Sequence, residues 1–230
     1  MRICGLQKLS MVDYPGKLAA TVFTGGCNLR CPFCHNALLV TRLQESPVLD
    51  TDDVLAFLAS RRGFLDGVVL SGGEPLMQPD SVDFLTQVRE LGFLIKVDTN
   101  GCYPHVLREI LDKQLADYVA MDIKNSPDKY AQTVGIPNFP LDNVNRSIAL
   151  LQSSGIDYEF RTTVVREFHT ADDIAAIAQW ISGAPHYYLQ NFEDSGNLIS
   201  QGLHGFSLDE LQIMADSALK HLKNVQIRGL

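Results

Sequence analysis

Short, β-rich apolar runs alternate with helix-period segments along almost the whole chain, and this alternation limits the fold more than any other feature. The runs are Leu18–Thr24, Gly67–Ser71, Phe93–Thr99, Asp117–Ile123, Tyr158–Val165, His186–Phe192 and Asn224–Ile227. They read as buried strands of a parallel sheet. Between them, Thr51 is the expected cap of a helix carrying Val54, Phe57 and Leu58 that ends near Gly63. A second helix places Phe84, Val88 and Leu91 on one face before Gly92. Val144, Ile148 and Leu151 share a face ahead of Gly155, Thr170 precedes the Ile174, Ile177, Ala178 and Ile181 stripe, and a last helix carries Leu208, Leu211, Ala215, Leu219 and Leu222. Strand–helix alternation without a long linker predicts parallel βα units. About six to seven units are too few for a complete eight-fold barrel, so the expected fold is α/β, a partial, open TIM-like (β/α)6 barrel. Its active site belongs at the carboxyl ends of the strands.

At 230 residues the chain is expected to form one domain, 1–230. A net charge of −8 and the lack of any basic run argue against a nucleic-acid partner. No apolar run approaches the ~20 residues needed to cross a bilayer, and the N-terminus MRICGLQKLSMVDYPG lacks a secretory apolar stretch. A cytoplasmic location and no membrane partner are expected.

Five cysteines make an odd number in a chain without export signals, which disfavours a disulfide framework. Cys27, Cys31 and Cys34 follow the first apolar run directly, in a C-x3-C-x2-C loop. Three thiolates supply only three of a cubane's four iron ligands, leaving one iron open for a substrate or cofactor. Gly25 and Gly26 allow close backbone approach, and Pro32 stiffens the loop. The alternative is a zinc knot that adds His35, but that imidazole directly follows Cys34 and is too near to chelate comfortably. Residues 35–66 hold no cysteine, so a single cluster is expected. Cys4, Cys102, His105, His169, His186, His204 and His221 show no ligand spacing and read as ordinary thiols and as surface or hydrogen-bonded histidines, although Cys102, directly after TNG, could lie near the rim.

CNLRCPFCHN resembles the cluster loop of radical S-adenosylmethionine (SAM) enzymes. With DYPG before it and HN after it, the segment is similar to the branch that activates glycyl radical enzymes, including activating proteins of anaerobic ribonucleoside-triphosphate reductase and of pyruvate formate-lyase. The resemblance runs from Asp13 to about Phe192. It implies a [4Fe–4S] cluster held by Cys27, Cys31 and Cys34, with SAM bound at the open iron and cleaved to methionine and a 5′-deoxyadenosyl radical. The implied protein partners are a glycyl radical enzyme, as substrate, and a flavodoxin- or ferredoxin-type electron donor. Such a cluster is oxygen-sensitive, so the chemistry is anaerobic.

Further motifs end the following strands. SGGEP brings Gly72, Gly73 and Glu74 and resembles the motif along the methionine part of SAM, where a carboxylate or carbonyl can meet the ammonium. VDTNG brings Asp98, Thr99 and Asn100, and MDIK brings Asp122 and Lys124. The resemblance gives the aspartates a monovalent cation and Lys124 the SAM carboxylate; a solvated Asp122–Lys124 pair is the plainer reading. Arg161 sits in an apolar strand and needs either the SAM carboxylate or a structural salt bridge. Gln190 and Asn191 fall where relatives approach the adenosine. Two rival functions stay open: radical SAM chemistry on a small molecule, for which little C-terminal chain remains, and a non-catalytic metal protein, which has no use for the three companion motifs.

Overall fold

The computed structural model describes residues 1–194 and 196–229. Eight strands form one sheet in chain order: β1 (Ile3–Ser10), β2 (Ala19–Thr24), β3 (Gly67–Gly72), β4 (Leu94–Thr99), β5 (Tyr118–Asp122), β6 (Asp157–Val164), β7 (Tyr187–Asn191) and β8 (Val225–Arg228). Strands β2 to β8 are mutually parallel, and β1 runs antiparallel to β2. The helices are α1 (Ala37–Thr41), α2 (Thr51–Ser60), α3 (Ser81–Glu90), α4 (Pro104–Asp112), α5 (Tyr130–Thr133), α6 (Asp142–Ser154), α7 (Ala171–Trp180) and α8 (Leu208–Ala218). Strands β1 and β8 are the two edges of the sheet, which is a partial barrel that does not close.

Each expected apolar run overlaps one strand, the short β8 included, so the parallel strands number seven; the antiparallel β1 is the strand no run announced. Helix α4 joins those expected: Pro104 occupies its first turn, where no N–H is needed, and Leu107 and Ile110 are buried. The cap of α2 is Asp50 rather than Thr51, because the Asp50 carboxylate accepts from the backbone N–H groups of Asp52 and Asp53. Helix α8 ends at Ala218, so Leu219 falls outside it and is exposed; its buried face is Leu211, Met214, Ala215 and Ala218. Thr170 caps α7 as expected, in a reciprocal box with Asp173.

Alternation along the strands sorts the side chains into two environments. Val68, Leu70, Ile95, Val97, Val119, Met121, Phe160 and Leu189 face outward, where they join the main core with Leu58, Phe84, Leu107, Ile148 and Ile177 from the helices. Burying one such side chain stabilises the fold by roughly 1.5–3 kcal/mol. The other set faces the barrel interior. Its lower end is filled by Tyr14, Ala19 and Val69, with Leu94 and Tyr118 against them. Above this plug lies Glu159, fully buried, which accepts from Tyr118 Oη at 2.7 Å and from both terminal nitrogens of Arg228 at 2.8 and 3.0 Å. The interior opens at the carboxyl ends of the strands, where the SGGEP, VDTNG and MDIK motifs lie.

Candidate active site

The cysteine loop and the SGGEP turn are built against each other. The N–H of Gly73 donates to Thr24 O at 2.9 Å, and the N–H of Glu74 donates to Gly26 O at 2.8 Å. A Cβ on Gly73 would sit 2.0 Å from Gly26 O, and one on Gly72, whose φ is +120°, would sit 2.3 Å from Thr24 N. Only glycine permits this approach. Asn36 Nδ2 donates to Gly72 O at 3.0 Å, so the residue after His35 also braces the turn.

Glu74 is buried to 1% exposure. Its Oε1 accepts from Leu76 N at 3.0 Å and Thr99 Oγ1 at 2.8 Å, and its Oε2 accepts from Asn100 N at 2.7 Å. The carboxylate thus joins two motifs while it lines the cavity. Burial pushes its pKa up to about 7, against the pull of these three donors.

A charged layer crosses the interior beneath the rim. Arg161 Nε donates to Asp122 Oδ1 at 3.0 Å, and Arg161 also lies 3.6 Å from Asp98 Oδ2. Lys124 Nζ donates to Asp122 Oδ2 at 2.9 Å, Ser71 Oγ donates to Asp98 Oδ2 at 3.1 Å, and Lys96 Nζ donates to Asp98 Oδ1. Burial works against every charge here. Arg161 and Lys124 nevertheless hold Asp122 down at about 2, and Asp122 holds both Lys124 and Arg161 above their ordinary values. Asp98 is likewise lowered by Arg161 and Lys96 despite its burial.

One cavity of about 220 Å³ takes in the cysteine loop and the SGGEP, VDTNG and MDIK motifs. Cys27, Cys31, Cys34, Gly72, Gly73, Glu74, Asp98, Asn100, Asp122, Lys124, Arg161 and Gln190 all line it. Asn191 points away and binds the backbone of Phe206 at 3.0 and 2.9 Å. Cys102 is buried beside the rim without lining the cavity.

A profile of the radical SAM superfamily matches residues 21–181. The chain belongs to the radical SAM superfamily. A Methanocaldococcus jannaschii protein described as a candidate glycyl-radical enzyme activating enzyme is 33% identical over 237 residues, covering 99% of this chain and 96% of that protein. The pyruvate formate-lyase-activating enzyme of Clostridium pasteurianum is 34% identical over 132 residues, covering 55% of this chain and 54% of the relative. Among solved structures, Streptococcus suis SuiB superposes with a TM-score of 0.70 at 16% identity over 89% of this chain, which spans 47% of SuiB. A domain of pyruvate-formate lyase-activating enzyme from Bacteroides vulgatus superposes with a TM-score of 0.57 at 18% identity, covering 71% of this chain and 99% of that domain. The two superpositions concern the fold. The sequence likeness places this radical SAM chain in the branch of glycyl-radical enzyme activating enzymes.

Membership implies a [4Fe–4S] cluster and SAM, and the donors present fit both. Cys27, Cys31 and Cys34 are free thiols on a single cavity. Burial pushes Cys27 up to about 12 and Cys31 up to about 11, so three thiolates there call for a group of strong positive charge. The His35 ring also lines this cavity and lies 5.5 Å from the Phe192 ring, tilted against it. Opposite the thiols, Lys124 and Arg161 offer cationic donors for a carboxylate.

Several residues at or beside the cavity were not singled out as site candidates in the sequence. Asn28 Oδ1 accepts from Asn100 Nδ2 at 2.9 Å beside Cys27, and Thr163 lines the cavity two residues beyond Arg161 on the same face. His169, 2% exposed, has Nε2 2.8 Å from Lys124 O, while Val165 N donates to its Nδ1 at 3.1 Å. Its neutral ring thus fixes the Lys124 backbone. Lys96 was legible only as the i−2 neighbour of Asp98, which puts both on one face of β4.

Proposed function

We propose that this enzyme activates a glycyl radical enzyme, anaerobic ribonucleotide reductase or a relative of it, in an anaerobic cytoplasm. The observation that carries the reading is the convergence of three free thiols and the SGGEP, DTNG and MDIK motifs on one cavity at the open rim. Cys27, Cys31 and Cys34 hold the cluster. When bound, the cluster and SAM supply one-electron cleavage of the sulfonium to methionine and a 5′-deoxyadenosyl radical, which takes hydrogen from a glycine of the partner. Gly72 and Gly73 let the backbone run close to the methionine portion. Glu74 holds that turn to Asn100, and Asn100 in turn donates towards Cys27 Sγ at 3.7 Å. Lys124 and Arg161 orient the SAM carboxylate, Asp98 and Asp122 keep those cations in place, and Gln190 stands at the adenosine side.

The whole chain acts as one unit in this reading, with electrons from a reduced flavodoxin or ferredoxin. An open sheet leaves the rim accessible to a polypeptide loop, which suits a protein substrate. Among the described residues, no helix is long and apolar enough to cross a membrane.

The test is anaerobic. The reconstituted, reduced enzyme with SAM is expected to yield 5′-deoxyadenosine, and Cys31→Ala is not. Added glycyl radical enzyme is expected to gain an electron paramagnetic resonance doublet from its glycine. A SAM cleavage product without any such signal, across candidate partners, would refute the protein-substrate reading.

A further inference from the structure

The charged layer beneath the rim sets three cationic side chains against two carboxylates. Relatives were expected to seat a monovalent cation on Asp98 and Asp122, and a hard cation needs several oxygens directed at it. Here all four carboxylate oxygens are engaged by donors. Asp98 Oδ1 is met by Lys96 and its Oδ2 by Ser71 and Arg161, while Asp122 Oδ1 is met by Arg161 and its Oδ2 by Lys124.

Charge gives the same answer. Two carboxylates already face three cationic side chains, and Lys96 is central to that balance. Its side chain is 2% exposed, and its register partners Val69 and Tyr118 belong to the plug at the bottom of the interior. A buried ammonium is retained only with a paired carboxylate, and Asp98 is its ion-pair partner. A metal ion added here would be a fourth positive charge beside two carboxylates whose four oxygens each already take a donor. The donors present therefore do not fit the cation.

We propose that Lys96 and Arg161 take the place of that cation: they neutralise Asp98 and Asp122, hold both carboxylates in position, and make the enzyme independent of bound Na+ or K+. Lys96 is a positioning residue, acting on the cavity through Asp98. The inference rests on the reading of the cavity as the SAM site, and its test separates the two.

The reconstituted holoenzyme, kept in tetramethylammonium buffer, is titrated with NaCl or KCl at constant ionic strength, with and without SAM. Sodium-23 relaxation reports ion binding, and anaerobic equilibrium dialysis reports SAM affinity. The parent enzyme is expected to show no saturable sodium broadening, and its SAM dissociation constant should move less than about twofold. Lys96→Met is expected to bind SAM about tenfold more weakly in tetramethylammonium and to recover with Na+ or K+, whereas Lys96→Arg stays insensitive to either ion. Saturable sodium binding by the parent overturns the proposal, and so does a folded Lys96→Met that no ion rescues. If Lys96→Met fails to fold, the parent's sodium signal still decides. Absence of SAM binding in every buffer would count against the assigned function alone, because the sodium measurement does not depend on it.

Discussion

The backbone N–H of Asn100 donates to Glu74 Oε2 at 2.7 Å and, with the bond from Thr99 Oγ1, ties the end of β4 to the turn that ends β3. Through Gly26 the same turn reaches the cysteine loop, so hydrogen bonds join three motifs far apart in sequence.

Glu74 is expected to make stability pH-dependent in a definite direction. Its carboxyl rises on folding from 4.5 to about 7, chiefly by burial. A raised value means the contribution is complete below 4.5 and is lost as the pH climbs through about 7. The unfolding free energy of the parent, from urea titrations, should fall across that window by up to about 3 kcal/mol relative to Glu74→Gln, which lacks the titration. Parallel profiles for the two proteins would contradict this.

Gly73→Ala is expected to disable the site without touching a thiol. Its Cβ would meet Gly26 O at 2.0 Å, and both partners are backbone. The cysteine loop must move, at a cost of about 1–3 kcal/mol, with lower iron retention after reconstitution. Iron content and the denaturant midpoint, measured on one preparation, check both effects.

Replacing Cys27, Cys31 or Cys34 by alanine should each abolish the cluster absorbance and 5′-deoxyadenosine formation. Cys102→Ser and Cys4→Ser, which lie off the cavity, should retain iron. Retention of a full cluster by any of the first three would show that the ligand set is wrong.

His169→Ala is expected to leave a buried carbonyl, Lys124 O, and a buried N–H, that of Val165, without partners. The loss is about 2–4 kcal/mol, together with weaker SAM affinity through a displaced Lys124. Calorimetric unfolding and SAM dialysis measure the two separately; unchanged affinity would free Lys124 from any dependence on this ring.

The strands β2 to β8 were legible because each lies in a short apolar stretch bounded by helix-period segments, although β6 and β8 also carry polar residues. Strand β1 escaped, since Gln7, Lys8 and Leu9 are exposed on this antiparallel edge and its register shifts twice against β2. The cap of α2 was misplaced by one residue because Asp50 and Thr51 are both good caps; which carboxyl or hydroxyl turns back on the helix is a matter of backbone angle. Cys27, Cys31 and Cys34 stood out by their spacing because they are near neighbours in the chain, and the fold brings all three to one cavity.

What the sequence by itself determined is therefore what depends on near neighbours: the alternating elements, the cysteine loop, and the motifs that end successive strands. The tertiary structure decided what those motifs touch. Glu74 turned inward to three donors, Asn191 turned to Phe206, and Lys96 met Asp98 in the interior together with an Arg161 from two strands away. Those outcomes depend on strand register and on the balance of buried charge across β3 to β6. Both arise only when separate segments are brought into one low-dielectric interior, where every charge must find its partner.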